Sequence, residues 1–377
     1  MSKKINQILN VDEIILVHPY SKKEIFNPKF GGARLILEQI KFLKYIGHNV
    51  RIISLKDIGS LVSSLYRIRE NSKKKGYKLI YTSEKRRWLL NLIYVLLIEL
   101  ISIIDILFYL KVKKLLKVNP KNSLLIYNYP YGLGSLFYTI KKLSLKIIIC
   151  EHNIEWKFFE SKIGNNPASK FLVFLAKKIE LNNLKKADYV FCLNEKDRKV
   201  LIKEGIKEKK IMVWIPYVKD KINTNKGKVS PRLKKKLKGK FVIGFLGSNF
   251  EPNIKAVENI ISLSRKVPKD VIFLIVGSIN KAFEDRTDVS QNIIFTGYVK
   301  NPDSYLALCD AFINPKTTSD TGIEIKMFDY LKFNKPIIAT KFGAMGFENF
   351  KNIIISDEKN IPSTIKSITY KKARLKW

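Results

Sequence analysis

The stretch Asp310–Thr340, DAFINPKTTSDTGIEIKMFDYLKFNKPIIAT, decides how the chain folds. Its first residues, Ala311–Asn314, are an apolar run closed by Pro315, which predicts a short buried strand. Lys316–Thr321 is a hydroxyl-rich loop. From Gly322 onward, apolar residues recur at Ile323, Met327, Tyr330 and Leu331, a helical spacing. Asn334-Lys335-Pro336 then turns into a second β-rich run, Ile337–Thr340. Strand, polar loop, helix and strand make a βαβ unit, and such units imply a parallel sheet in an α/β fold.

The same stretch carries a candidate chemistry. A helix that opens at Gly322 would present unpaired backbone N–H groups, and the positive end of its dipole favours an anion there. Lys326 in the first turn adds a charge suited to phosphate, and Asp329, three residues on, shares its face and can accept hydrogen bonds from sugar hydroxyls. Phosphate donors followed by an acidic acceptor for a ribose describe a nucleotide site. A capped surface helix with an ordinary Lys–Asp pair fits these residues as well, and they leave both readings open.

In its motifs the stretch resembles the donor-site segment of retaining, nucleotide-sugar-dependent glycosyltransferases of group 1 (family 4-like). The residues that carry the resemblance are Pro315, Gly322, Lys326, Asp329, Pro336 and the IIAT run at Ile337–Thr340. Upstream, Gly297-Tyr298-Val299 and Tyr305–Asp310 match the family's approach to this segment. Two departures stand out. Asp329 replaces the usual Glu at the ribose position, and Thr321 stands where the family has its other acidic residue. The resemblance implies the GT-B fold, two Rossmann-like α/β domains facing across a cleft. It also implies transfer of a sugar from a nucleoside diphosphate sugar to a hydroxyl acceptor, a glycan or a lipid-linked one, with retention and without a bound metal or other cofactor.

The chain has 377 residues, 46% of them hydrophobic and 11% aromatic, enough for two domains with full cores. Seventy Lys and Arg against 33 Asp and Glu give a net charge of +37. Nucleic acid, an anionic membrane surface and phosphorylated substrates are all compatible partners for such a chain. The basic residues lie in short scattered runs with no zinc-ligand spacing or nucleic-acid signature, so specific nucleic-acid binding is not expected. Cys150, Cys192 and Cys309 are isolated in apolar runs, as buried thiols in a reducing compartment are. The opening MSKKINQILN lacks the apolar core of a secretory signal, and a cytoplasmic location is expected.

Read in order, the first domain is expected at 1–217, acceptor-binding, with strands at Glu13–His18, Val50–Leu55, Ser123–Asn128, Lys146–Cys150 and Asp188–Asn194. Gly31 and Gly32 form a turn before a helix, and two glycines there permit close approach to a ligand; a plain tight turn fits equally. Glu151-His152-Asn153-Ile154-Glu155 follows a parallel strand directly, where α/β sheets bind ligands. His152 is therefore the histidine candidate for contact with substrate, and a loop histidine satisfied by backbone fits the position as well. The E-H-N-x-E run also resembles the family's equivalent segment, and that resemblance implies contact of His152 with the transferred sugar. Trp88–Leu110 is apolar enough to read as a core helix pair, an interfacial helix or a membrane span, although Asn91, Glu99 and Asp105 weigh against a span. The basic runs Lys73–Lys75, Arg86-Arg87 and Lys111–Lys117 beside it suit anionic headgroups at an inner membrane face.

Residues 218–239 read as a basic linker, and 240–377 as the donor-binding domain. There, Phe241–Leu246 leads into Gly247-Ser248-Asn249, and Ser248, Asn249 and Lys255 suit a diphosphate. The resemblance places the base beside Gly297. Glu324, with the hydroxyls through Thr321, is a further candidate for contact with diphosphate or sugar. Lys255, Lys326 and His152 are the candidates for catalysis. A different class also fits, a nucleotide- or sugar-binding membrane-associated protein without catalysis, since Ser248 and Thr321 stand where charged residues are expected.

Overall fold

The computed structural model describes residues 3–28, 31–57, 84–104, 114, 122–219, 222, 224, 229–318 and 322–374. Contacts divide the chain into two units. One is Met1–Val218 with Asp320–Ile323, and the other is Lys219–Ser319 with Glu324–Trp377.

The first unit holds β1 (Glu13–His18), β2 (Asn49–Ser54), β3 (Ser123–Asn128), β4 (Lys146–Cys150), β5 (Tyr189–Cys192) and β6 (Ile211–Val213). They form one sheet in the order β2-β1-β3-β4-β5-β6, each neighbouring pair parallel. Successive side chains of a strand point to opposite faces, and here both faces are covered. Ile15, Val17, Leu125 and Tyr127 enter one core, while Ile14, Leu16, Leu124 and Ile126 enter the other. This is why these strands read as unbroken apolar runs rather than alternating ones.

The second unit holds β7 (Phe241–Leu246), β8 (Val271–Val276), β9 (Ile293–Phe295), β10 (Ala311–Asn314), β11 (Ile337–Ala339) and β12 (Ile353–Ile355). Its parallel sheet has the order β12-β11-β10-β7-β8-β9. With β7 counted as the first strand, this is the doubly wound dinucleotide-binding order 3-2-1-4-5-6 read from the other edge. All six residues of β8, VIFLIV, are buried.

Three local expectations change. Gly31 and Gly32 are not in a turn before a helix but in the first turn of the helix Gly31–Tyr45. A Cβ on Gly32 would sit 2.5 Å from the Tyr20 hydroxyl, so any larger residue there would have to displace the Tyr20 side chain. The helix of the donor stretch starts at Lys326 and ends at Leu331, not at Gly322. Gly322 has φ +77°, which a right-handed helix cannot contain. The basic stretch 218–239 contains the helix Pro231–Leu237, begun by Ser230, whose side chain accepts from Leu233 N–H, and by Pro231 at the first helical position.

Within the apolar stretch Trp88–Leu110, the helix Glu84–Ile104 sends Leu92, Val95 and Ile98 into the core. Its buried Glu99 accepts from Gly132 N–H and from Asn183 Nδ2 (3.1 Å). Among the described residues no helix is long and apolar enough to cross a membrane. Residues 105–110, Lys73–Lys75 and most of Lys111–Lys117 lie outside the described residues, as do the side chains of Arg86 and Arg87.

Candidate functional site

In the second unit the chain reverses its winding direction between β7 and β10, which lie side by side. Ligands of open α/β sheets bind beyond the carboxyl ends of strands at such a point. The two segments that leave these strands are Gly247–Asn253 and Pro315–Lys326, which contain most of the candidates of this half.

Lys326 is the centre of what the structure brings together there. Its ammonium donates to Asn253 Oδ1 (2.6 Å), pairs with Glu324 Oε2 (3.4 Å) and lies 4.2 Å from the centre of the Phe245 ring. Its side chain is only 10% exposed, so the charge is held in place rather than swept through solvent. Burial pushes the Lys326 pKa down, and Glu324 beside it offsets part of that shift. Burial alone would raise Glu324, but Lys326 and Lys316 hold it below the usual carboxylate range. Lys316 Nζ lies 2.7 Å from Glu324 Oε1. Two part-buried ammonium groups thus share one carboxylate, an arrangement with spare positive charge for an anion.

Asn253 joins this cluster to the loop after β7. Its Nδ2 donates to Ser248 O (3.0 Å), while its Oδ1 receives Lys326. Asn249 N–H lies 3.4 Å from Ser278 Oγ. The loop packs against Gly277 so tightly that a Cβ there would meet Gly247 O at 2.3 Å. The helix Lys326–Leu331 is fixed from below: Tyr330 stacks on Phe312 of β10 with centroids 4.6 Å apart, and its hydroxyl accepts from Leu246 N–H (2.8 Å) at the end of β7.

Other candidates are placed differently. Lys255 lies a full turn inside the helix Glu251–Ser264, 58% exposed and paired with Glu251 (2.9 Å). Asp329 is half-buried in an ion pair with Lys332 (3.0 Å), which also reaches Asp303 (3.3 Å). Gly297, φ +70°, follows β9 by two residues and accepts from Gly277 N–H (3.1 Å). Gly322 does not offer its N–H to an anion: Asp197 Oδ2 accepts it (3.0 Å), and Asn194 Nδ2 donates to the Gly322 carbonyl (2.9 Å). Thr321 lies outside the described residues.

In the first unit His152 stands just beyond β4, with Nε2 2.8 Å from Oδ1 of the buried Asn128 at the end of β3. Burial lowers the His152 pKa to about 4, so the ring is neutral at pH 7. Behind it lies a group of buried acids. Glu180 accepts from Tyr131 hydroxyl (2.8 Å), Glu155 N–H (3.1 Å) and Trp156 N–H (3.0 Å), holding the start of the helix Glu155–Ile163. Burial pushes Glu155 up to about 7; burial, with Glu155 nearby, pushes Glu180 up to about 8. Burial, followed by the charges of Glu180 and Glu155, raises Glu151 as well. Among the described residues no group of three or more His, Cys, Asp or Glu side chains is placed to hold a metal ion.

The sequence reading missed Asn253, Lys316 and Asn128 as members of these clusters. Asn128 had a signal: a polar residue closing the apolar run SLLIY at the carboxyl end of a parallel strand. Lys316 and Asn253 had none beyond their loops.

Residues 240–368 match the family model described as glycosyl transferases group 1. Among curated proteins no sequence gives a significant match. Solved structures are similar over nearly the whole chain. HepE (Alr3699) from Anabaena, in complex with UDP-glucose, is 15% identical with a TM-score of 0.55, covering 96% of this chain and 90% of that one. The lipopolysaccharide outer core galactosyltransferase WaaB is 12% identical with a TM-score of 0.55, covering 96% and 91%. A trehalose-6-phosphate protein from E. coli, bound with UDP-2-fluoro glucose, is 12% identical with a TM-score of 0.55, covering 95% and 91%. At such identities the likeness speaks for the fold, which is GT-B. The family match places a group 1 glycosyltransferase domain in the second unit, and the chain is a glycosyltransferase.

Proposed function

We propose that this glycosyltransferase moves a sugar from a nucleoside diphosphate sugar to a hydroxyl of a glycan or lipid-linked acceptor, with retention at the anomeric carbon. The observation that carries the donor class is the buried Lys326, fixed by Asn253 beside the Ser248 loop at the switch point of the second sheet. Cleavage of the sugar–phosphate bond builds negative charge on the leaving diphosphate and positive charge at the anomeric carbon. A preorganised, desolvated ammonium lowers the energy of the first of these charges. In this reading Lys326 faces the diphosphate, with Ser248, Asn249 and Lys255 as further contacts. Glu324 and Thr321 border the diphosphate or the sugar, Asp329 takes the ribose once it leaves Lys332, and Gly297 borders the base. Gly31, Gly32 and His152 serve the sugar side, and His152 is a neutral hydrogen-bonding group rather than an acid. HepE in complex with UDP-glucose supports a nucleotide-sugar donor, and WaaB supports an acceptor on a lipid-borne glycan.

The same reading includes docking at an anionic membrane surface from the cytoplasmic side. Its support is the exposure of Leu90, Leu97 and Leu100 on the helix Glu84–Ile104, and of Phe171 and Phe174 on the helix Pro167–Lys186, where the Lys178 ammonium lies 4.5 Å from the Phe174 ring. Exposed apolar side chains among lysines suit the interface of an acidic bilayer. Flotation with acidic and neutral vesicles tests this: binding to acidic ones only is expected, and no binding to either ends the membrane part.

The donor assignment is tested by thermal shift against UDP-, GDP- and ADP-sugars, followed by assay of released nucleoside diphosphate. Stabilisation by one donor class together with turnover is expected. Stabilisation without turnover or transfer to any acceptor would favour the non-catalytic binding protein, and no response to any donor would remove the reading.

A further inference from the structure

The helix Lys326–Leu331 presents Lys326 and Asp329 on one face, and the residue that holds Asp329 follows directly behind, all within the second unit. The Lys332 ammonium lies 3.0 Å from Asp329 Oδ1 and 3.3 Å from Asp303 Oδ1. The side chains of Asp329, Lys332 and Asp303 are 14%, 8% and 10% exposed, so salt and solvent screen the three charges little. Asp303 opens the short helix Asp303–Leu306, where its N–H donates to Asn301 Oδ1 (3.2 Å), on the segment that runs on from Gly297. Lys335 ties the far end of that helix, donating to Ala307 O (2.8 Å) and to Cys309 O. Asn301 and Lys335 thus hold Asp303 in place independently of Lys332.

An aspartate locked to a desolvated ammonium is a poor acceptor for a neutral hydroxyl, because breaking the ion pair would strand a charge. Asp303 removes that obstacle. The ammonium is already within reach of a second carboxylate, so it passes to Asp303 without losing its ionic partner while Asp329 turns to the sugar. We propose that Asp303 is a positioning residue that draws Lys332 off Asp329, so that Asp329 accepts from the 2′-hydroxyl of the donor's ribose and the site selects ribonucleotides over 2′-deoxyribonucleotides. The inference rests on the donor reading given above and adds the exchange of partners that makes Asp329 available. One ammonium and two carboxylates are present before and after the exchange, so it costs the second unit no net charge.

The test is calorimetry with matched pairs, UDP and dUDP, GDP and dGDP, ADP and dADP. The native protein is expected to prefer the ribonucleotide of its own base by ~10–100-fold, the worth of one hydrogen bond to a charged acceptor. In Asp303→Asn the ammonium is held more tightly by Asp329, and the preference should fall to within about threefold, less than the worth of one such bond. Adding Lys332→Met to Asp303→Asn removes the competing ammonium, restores the native net charge of the cluster and should bring the preference back. A merely structural Asp303 would weaken both members of a pair alike, and no second deletion would repair the ratio.

Equal binding of the two members by the native protein would overturn the proposal. So would a native preference kept in Asp303→Asn, or one lost there and not recovered in the double variant. Lys332→Met alone should keep or raise the preference. A loss in that variant would mean that Lys332 holds Asp329 for the ribose rather than from it, and would overturn the proposal even where Asp303→Asn does not fold. Failure of every nucleoside diphosphate to bind would remove the donor reading and the exchange with it, whereas binding with the wrong ratios would remove the exchange and leave the donor reading standing.

Discussion

Replacing Lys326 by Met should separate catalysis from folding. The substitution keeps an apolar stem against the Phe245 ring and removes the ammonium. Glu324 keeps its partner Lys316 at 2.7 Å, so no carboxylate is stranded. Asn253 Oδ1 loses its 2.6 Å donor, while its Nδ2 still holds Ser248 O. Asn253 is part-buried, so the unpaired acceptor costs at most about 1–3 kcal/mol, a loss that a unit built on a six-stranded sheet survives. The effect on turnover should be larger. Removing one preorganised group from the charge that develops in a transition state costs ~10²–10³ in kcat, about 3–4 kcal/mol. The assay is release of nucleoside diphosphate from a saturating donor, with unfolding followed on the same sample. A fall of at least about 100-fold in kcat with a cooperative unfolding transition is expected. Turnover within about threefold of the native protein, under a kcat scale where tenfold is 1.36 kcal/mol, would refute the assignment of Lys326 to the leaving group.

Further outcomes follow from other contacts. Glu180→Ala strands the Glu155 and Trp156 N–H groups and leaves the Tyr131 hydroxyl only the Ala176 carbonyl at 3.4 Å, and at about 1–3 kcal/mol per buried unpaired group it should destabilise the first unit by several kcal/mol in denaturant unfolding. Glu155 and Glu180 have folded pKa values raised to about 7 and about 8 from 4.5. The folded state therefore binds more protons than the unfolded one, and their contribution to stability is present below pH 4.5 and lost as pH rises to about 8. Unfolding temperatures of the first unit should fall between pH 6 and 9, less steeply in Glu180→Gln. Gly277→Ala forces a side chain onto φ +112°, ψ −178° with its Cβ 2.3 Å from Gly247 O; strain of about 1–3 kcal/mol plus displacement of the Ser248 loop should lower both stability and donor affinity. Wild-type donor affinity in that variant would show the loop to be unimportant for binding.

Much of this architecture was legible because it is local. Runs such as SLLIYN, VIFLIV and AFIN announce doubly covered strands, and the observed strands fall within a residue or two of the predicted ones, the ladder stopping at Cys192 where the run Asp188–Asn194 goes on. The helix Pro231–Leu237 was legible in principle from Ser230-Pro231, but its lysine-rich composition reads as a linker. The helix at Lys326 was misjudged because apolar spacing does not reveal a glycine with positive φ or the use of its N–H by Asp197. Partner choice was the least legible layer. Lys326 and Asn253 are 73 positions apart, as local sequence gives no reason to pair them. His152 was found because position after a strand is itself a signal, whereas Asn128 becomes meaningful only once β3 and β4 are known to be neighbours.

The three cysteines give the molecule a built-in stopwatch. Cys150 and Cys192 lie in the first unit and Cys309 in the second, all buried, and burial raises each thiol, Cys309 to about 12. A thiol-reactive dye should therefore ignore the native chain and mark a sulfur only when its own half opens. Peptide mapping of the labelled sites over time would give two opening rates from one unmodified sample. It would reveal whether the halves breathe together or apart, and whether a bound donor slows one clock without touching the other.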